Sequence, residues 1–365
     1  MRRRQRHGRR ADGKNGTNGM RPRMSALAPR RIRTRLEHHA KTLRSQLATL
    51  HVSGPKKFQL ADDEVCGVLL GRNISYYIPE FMAHYRAIGM KYLVYMDYGS
   101  DDGSIGMMAK YDDVIILSNT LNFRDYQRYM RMHAATRYAE GGWRLAVDAD
   151  EILRYPGDDR IDLPGLVRRL AGRGQTGVVA QMLEMVPDCP LEEVDTLSFA
   201  EARRVFRNYS LENISAYPYH SEETPLHWFL SQNSVADPHL AFMFGGLRRT
   251  LFSEDCCLSK HVLYRPGRGV VPMMHPHVTM GLHCADFTAL LQHYKFAGGY
   301  LERERRRQVE KRLSHSEGDL RLAALARNPK MRLTFPGIRH DPTLQDLIRD
   351  GFLWVSSPAR QMLGV

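Results

Sequence analysis

The sequence predicts an α/β fold, a mainly parallel sheet flanked by helices with a less regular C-terminal half. Three observations carry that expectation. From about residue 64, apolar runs of strand length alternate with segments of helical spacing. Three of the runs stop abruptly in polar residues, as strands do where a parallel sheet presents its carboxyl edge. After about residue 186 the alternation loosens, and Pro, Gly, Asn and His rise.

The first strand is the apolar run Val65–Leu70. Tyr76–Ile88 follows as a helix, with Ile78, Phe81, Met82, Tyr85 and Ile88 at helical spacing and Gly89 closing it. Lys91–Asp97 reads as the second strand, before the turn Tyr98-Gly99-Ser100-Asp101-Asp102-Gly103-Ser104. A short helix over Ile105–Tyr111 and a third strand over Val114–Leu117 come next. Asp125–Ala139 is a longer helix with Tyr126, Tyr129, Met130, His133 and Arg137 near one side. Trp143–Val147 is the fourth strand, Leu163–Leu170 a helix and Val178–Met182 another strand. The later half offers short β-like pieces at Arg248–Phe252 and His277–Met280. From Ala285 helical spacing returns, and the sign-alternating stretch Glu302–Arg312 reads as a solvated helix face. The expected segments are a basic disordered tail over 1–50, a ligand-binding half over 51–186, a second half over 187–300 and a helical segment over 301–365.

Charge is confined to that tail. Residues 1–50 hold 15 of the 53 Lys/Arg and only Asp12 and Glu37 of the 40 acidic residues. The remainder therefore carries 38 of each sign, which makes nucleic acid an unlikely partner of the folded part. A basic arm of this composition cannot fold alone and can contact anionic lipid or nucleic acid. Met20 and Met24 are alternative start sites for it. No long apolar run or secretory core occurs, and the five cysteines lack Cys-x-x-Cys spacing. These features suggest a cytoplasmic protein, with peripheral contact at the inner face of a membrane as a further expectation.

The most informative stretch is Trp143–Leu153, where an apolar strand runs into Asp148-Ala149-Asp150-Glu151. Three carboxylates in four positions repel one another unless a cation sits among them. On extended chain Asp148 and Asp150 point the same way, and two hard oxygens with open positions suit Mn²⁺ or Mg²⁺ bridging to phosphate. An acidic loop after a strand is the alternative. The first two strands end in Gly71-Arg72-Asn73 and in Asp97 through Gly103, so three polar strand ends share one edge of the fold. Arg72 suits a phosphate, and Asp97 a base or ribose hydroxyl.

These motifs together resemble the bacterial family-2-like glycosyltransferases. The resemblance rests on Leu69–Asn73, Ile78-Pro79-Glu80-Phe81 through His84-Tyr85-Arg86 and Gly89, Tyr95–Gly103, and Asp148-Ala149-Asp150-Glu151. It covers about residues 64–355. Phe244–Arg249 looks like a glycine-glycine-x-arginine segment of that family, and Leu290–Lys295 like a leucine-x-histidine-aromatic-lysine segment. The resemblance implies a GT-A fold with a Rossmann-like sheet and a hexosyltransferase-like activity. It also implies a UDP- or GDP-sugar donor, a glycan-type acceptor and a divalent metal, Mn²⁺ or Mg²⁺. By position, Asp97 would contact the nucleoside, with Arg72, Asn73, Asp101, Asp102 and Lys295 toward the donor. Asp148 and Asp150 would hold the metal. One departure is Ile74, which stands where the family usually has glutamate.

A third ligand suits an imidazole, for which His293 is the first choice and His275 and His277 the alternatives. Inverting transfer needs a base, with Glu184 and Asp255 as candidates. Trp143, Trp228 and Tyr217–Tyr219 offer aromatic faces for a sugar, or pack as core. A metal-dependent phosphohydrolase using the same carboxylates is the competing enzyme reading.

Overall fold

The structure is a computed structural model that describes residues 27–309, 317–328 and 330–365. Residues Thr42–Val365 form one compact unit. Of the stretch expected to be a tail, residues 1–26 lie outside the described residues. Leu27–Leu47 is a helix (α1), and Leu50–Ser53 is already a strand (β1).

The expected alternation is present. It runs β2 (Val65–Gly71), α2 (Ile78–Ala87), β3 (Met90–Asp97), α3 (Ser104–Met108), β4 (Val114–Ser118), α4 (Phe123–Arg137) and β5 (Trp143–Ala146). A turn then leads to β6 (Glu151–Arg154), α5 (Leu163–Gly172) and β7 (Gly177–Glu184). Beyond these lie α6 (Phe199–Val205), β8 (Ser234–Val235), α7 (Leu247–Phe252), β9 (Ser259–Tyr264), β10 (His283–His293), α8 (Tyr300–Val309) and α9 (Glu317–Arg327).

The strands form one ten-stranded sheet in the order β1-β4-β3-β2-β5-β9-β7-β10-β8, with β6 pairing β10. Strands β4, β3, β2 and β5 are mutually parallel, and β7, β10 and β8 likewise. β9 lies antiparallel between β5 and β7, so both groups point the same way. The chain winds outward from β2 to β4 and then crosses back to place β5 on the other side of β2. That reversal opens a crevice at the carboxyl ends of β2 and β5, where sheets of this kind bind ligands.

Three sequence expectations are corrected here. The expected helical spacing begins only at Tyr300, because Ala285–His293 belongs to β10, an eleven-residue strand buried on both faces, which removes the alternation that marks a half-exposed strand. Arg248–Phe252 belongs to helix α7 rather than to a strand. The sheet also does not divide at residue 186, because β9 and β10 from the later half pair directly with β5 and β7.

Candidate active site

The carboxyl ends of β2, β3, β5, β7 and β10 lie on one sheet edge and deliver Gly71, Asp97, Asp148, Glu184 and His293. Antiparallel β9 reaches the same edge with its amino end and brings Lys260. That strand reversal places a lysine among carboxylates.

Asp148, Ala149 and Asp150 occupy the turn between β5 and β6, closed by the Glu151 N–H donating to the Asp148 carbonyl. The chain is therefore not extended here, and the two aspartates take different partners. Asp148 accepts from Arg131 of α4 at 3.0 Å and from Lys260 at 3.1 Å, one cation to each carboxylate oxygen. Lys260 also donates to both oxygens of buried Glu151, at 2.8 and 3.1 Å. Burial alone would push the Asp148 carboxyl up, but the Arg131 and Lys260 charges hold it well below the usual range. Burial raises Glu151 despite Lys260.

Asp150 faces the other way. His293 Nε2 lies 3.5 Å from its Oδ2, and His293 Nδ1 is 3.0 Å from Glu184 Oε1. Cross-strand pairing sets this, since His293 stands opposite Glu151 on β6 and opposite Glu184 on β7. Burial alone would lower the imidazole, but Glu184 and Asp150 raise it to about 9. Against burial, His293 and then Lys295 and Arg303 hold Asp150 far below the ordinary carboxylate range.

Glu184 is no free base. It is buried, paired with His293 and 2.7 Å from Arg248 Nε, and these charges outweigh its burial to hold it at about 2. Gly245 and Gly246 aim Arg248 at it. Both have positive φ, and a Cβ on Gly245 would lie 2.3 Å from the Arg249 guanidinium carbon. Asp255 is exposed and paired with Arg249 on the surface, so neither base candidate stands free over Asp150.

The pairing continues inward from Arg248. Buried Glu254 meets Arg248 at 3.6 Å and Arg321 of α9 at 2.7 Å, while Glu304 of α8 lies 3.5 Å from Arg321 and 2.6 Å from Arg307. The charges of Arg303 and Arg307 bear on Asp150 and Tyr77. Arg303 is held by the carbonyls of Ala297 and Gly298, at 2.7 and 2.6 Å. The stretch expected to be a solvated helix face thus carries fully buried Glu304 and two arginines of the site. Residues 310–312 of it lie outside the described residues. Lys295 is half-buried, and burial with the charges of Arg321 and Arg248 lowers its pKa.

The strand-end motifs of β2 and β3 interlock. Arg72 Nε donates to the Gly99 carbonyl at 2.7 Å, and the Asn73 N–H to Ser100 Oγ at 2.9 Å. Asn73 and Asp101 exchange side-chain and backbone bonds, and Asp102 accepts from the Ser75 and Ser104 N–H groups. The Asp97 carboxylate, expected to meet a nucleoside, accepts from the N–H groups of Gly99 and Ser100 and from the Tyr95 and Ser100 hydroxyls. Asp97 and Asp102 therefore shape this edge, and Arg72 and Asn73 clasp the two loops together.

Of the aromatic candidates, Trp143 is core and Tyr219 is buried, whereas Trp228 is exposed. Trp228 begins a row of rings through Phe229, His275 and His277, with centroids 5.0, 5.7 and 5.6 Å apart. His277 Nδ1 lies 2.9 Å from the carbonyl of Ser259, next to Lys260. The site is an open edge. A surface cleft of about 520 Å³ beside Arg160 and Arg168 shares no residue with it.

Of the residues singled out in the sequence, Asp148, Asp150, His293, Glu184 and Lys295 come together at this edge. Arg131 and Lys260 were not singled out, and their signals are an arginine on a helix flank and a polar start to an apolar strand.

No family model matches this chain, and no curated protein matches it. Among solved structures it is similar to mannosyl-3-phosphoglycerate synthase from Rubrobacter xylanophilus, with TM-score 0.30 and 14% identity over 75% of this chain and 78% of that one. It is also similar to Rv0371c from Mycobacterium tuberculosis H37Rv, with TM-score 0.22 and 15% identity over 33% of this chain and 66% of that one.

Proposed function

We propose that this chain transfers a sugar from a nucleotide-sugar donor to a hydroxyl acceptor. One observation carries the reading. At the carboxyl edge of the sheet, the charges of Lys295, Arg303 and Arg307 act on a negative Asp150, a cationic surrounding suited to a diphosphate. The ordered strand-end motifs support it. In the reaction the bond from the anomeric carbon to the diphosphate oxygen breaks, and the diphosphate keeps the electron pair. The acceptor oxygen bonds that carbon, and its proton passes to the leaving diphosphate or to water. The cationic surrounding neutralises the charge that grows on the leaving diphosphate.

Among the described residues no three His, Cys, Asp or Glu side chains converge as a metal cage. Asp148 accepts one cation at each oxygen, from Arg131 and Lys260, and keeps a further lone pair on each. Asp150 and His293 fit an Mn²⁺ or Mg²⁺ shared with phosphate. Glu184 holds Nδ1 of the imidazole, the carboxylate–histidine arrangement that leaves Nε2 for a metal. Bound there, the ion supplies Lewis-acid stabilisation of the leaving diphosphate. The ring row from Trp228 offers a stacking approach for a glycan acceptor.

The test is release of nucleoside diphosphate from UDP-glucose and GDP-mannose, each with Mn²⁺, Mg²⁺ or EDTA. Release requires the metal, and Asp150→Asn lowers it by about 10²-fold or more with the melting temperature retained. Unchanged turnover in EDTA and in Asp150→Asn would sink the reading. Hydrolysis between the two phosphates instead, giving a nucleoside monophosphate and a sugar phosphate, would favour the phosphohydrolase.

A further inference from the structure

Helix α1 is inside out. Within α1, Ser45 is 0% exposed, while Leu43 and Leu47 are 57% and 76% exposed. Ser45 faces the body, where its carbonyl accepts from Asn119 Nδ2 at 2.9 Å and from Thr49 Oγ1 at 2.8 Å. Leu43 and Leu47, four apart, share the opposite side of the helix. Strand β1 follows as the sheet's edge, with an irregular register between His51 and Ser53. Its Leu50 and Val52 are 66% and 44% exposed. Four large apolar side chains thus lie uncovered within ten residues. Exposed apolar side chains gathered this densely mark an interaction surface.

We infer that this face docks on an anionic membrane surface. Charge decides the occupant. Exposed Arg44 and Lys56 belong to the same stretch of chain as the apolar side chains, Lys57 being paired with Glu140, and residues 1–50 carry 15 Lys/Arg against two acidic residues. A basic segment with leucines along one side matches a leaflet that offers acyl chains under anionic headgroups. A second copy of the chain would bring the same positive charge against itself. A nucleic acid would contact the basic groups but leave the leucines in water. Docking here is independent of the transfer reading, since none of these residues belongs to the site.

The test is cosedimentation of the full chain with phosphatidylcholine vesicles, with and without phosphatidylglycerol. The chain binds the anionic vesicles and leaves the neutral ones largely free. Leu43→Gln with Leu47→Gln weakens that binding about tenfold or more, and Leu50→Gln with Val52→Thr weakens it independently. Because these side chains are exposed, both variants keep the wild-type melting curve. Wild-type binding by both variants would overturn the proposal in favour of charge alone. So would a chain that ignores vesicles but forms a dimer, by sedimentation equilibrium, that the leucine variant dissolves.

Discussion

At Lys260 a single ammonium faces two carboxylates from within the sheet. Asp148 and Glu151 would otherwise repel each other three residues apart, and Arg131 reaches only Asp148. Lys260→Met therefore leaves Glu151 buried without a counter-charge and costs about 3–5 kcal/mol in urea unfolding. Adding Glu151→Gln removes the orphaned charge, so the double variant recovers part of that loss. Equal stability of single and double variants would contradict the pairing. The need for a cation was legible in Asp148-Ala149-Asp150-Glu151 itself. The supplier was not, because Lys260 arrives on a strand that runs against its neighbours. Asp97 shows the opposite limit. Its place at a strand end was legible, but its partners are its own turn, which no spacing in the sequence reveals.

At the scale of elements, α8 and α9 are tied to the sheet edge by charge as well as by the apolar packing of Tyr300, Leu301 and Leu325. Arg321 holds Glu254 and Tyr300 and reaches Glu304, and both carboxylates are almost wholly buried. Arg321→Met leaves them short of positive charge and loosens α8, which carries Arg303 and Arg307. Hydrogen exchange over Tyr300–Val309 then accelerates ahead of the sheet strands, and donor affinity falls with it. Uniform protection across the chain in that variant would show that the helices are held otherwise. The sequence hid this arrangement for a physical reason. Alternating charge on a helix reads as a solvated face, and the same pattern serves when partners of opposite sign are buried beneath it. β10 was hidden similarly, since a strand buried on both faces loses its period of two.

For the whole molecule, interleaving two halves in one sheet couples the site to global stability, and pH separates the contributions. Burial lowers His84 to about 4. It lowers His261 to about 3, and His277 to about 3 with help from the charge of His275. His261 Nδ1 accepts from the Thr279 N–H at 3.0 Å, and Nε2 lies 2.8 Å from the Tyr219 hydroxyl, so the neutral ring is the one that fits. Unfolded histidine titrates near about 6.5. These folded values are depressed, so the stability is fully present above that pH and is lost as pH falls toward them. Fully buried His261 contributes a slope of about 1.4 kcal/mol per pH unit, and the partly solvated His84 and His277 contribute less. His293 behaves oppositely. Raised to about 9 by Glu184 and Asp150 against burial, it stabilises fully below about 6.5 and loses that contribution as pH rises through 9. Glu184 and Asp286, both near 2, release their stability only in stronger acid. In the window between the ordinary carboxylate and histidine values these neutral histidines act, joined by His133, which burial also lowers, and opposed by Glu151, which burial raises. Urea midpoints measured across that window in chelator fall with pH for the wild type. His261→Gln keeps an acceptor for Thr279 and a donor for Tyr219, and it shows a shallower acid slope with an unchanged alkaline limb. Parallel acid slopes in the two proteins would mean that the His261 ring is already charged in the fold.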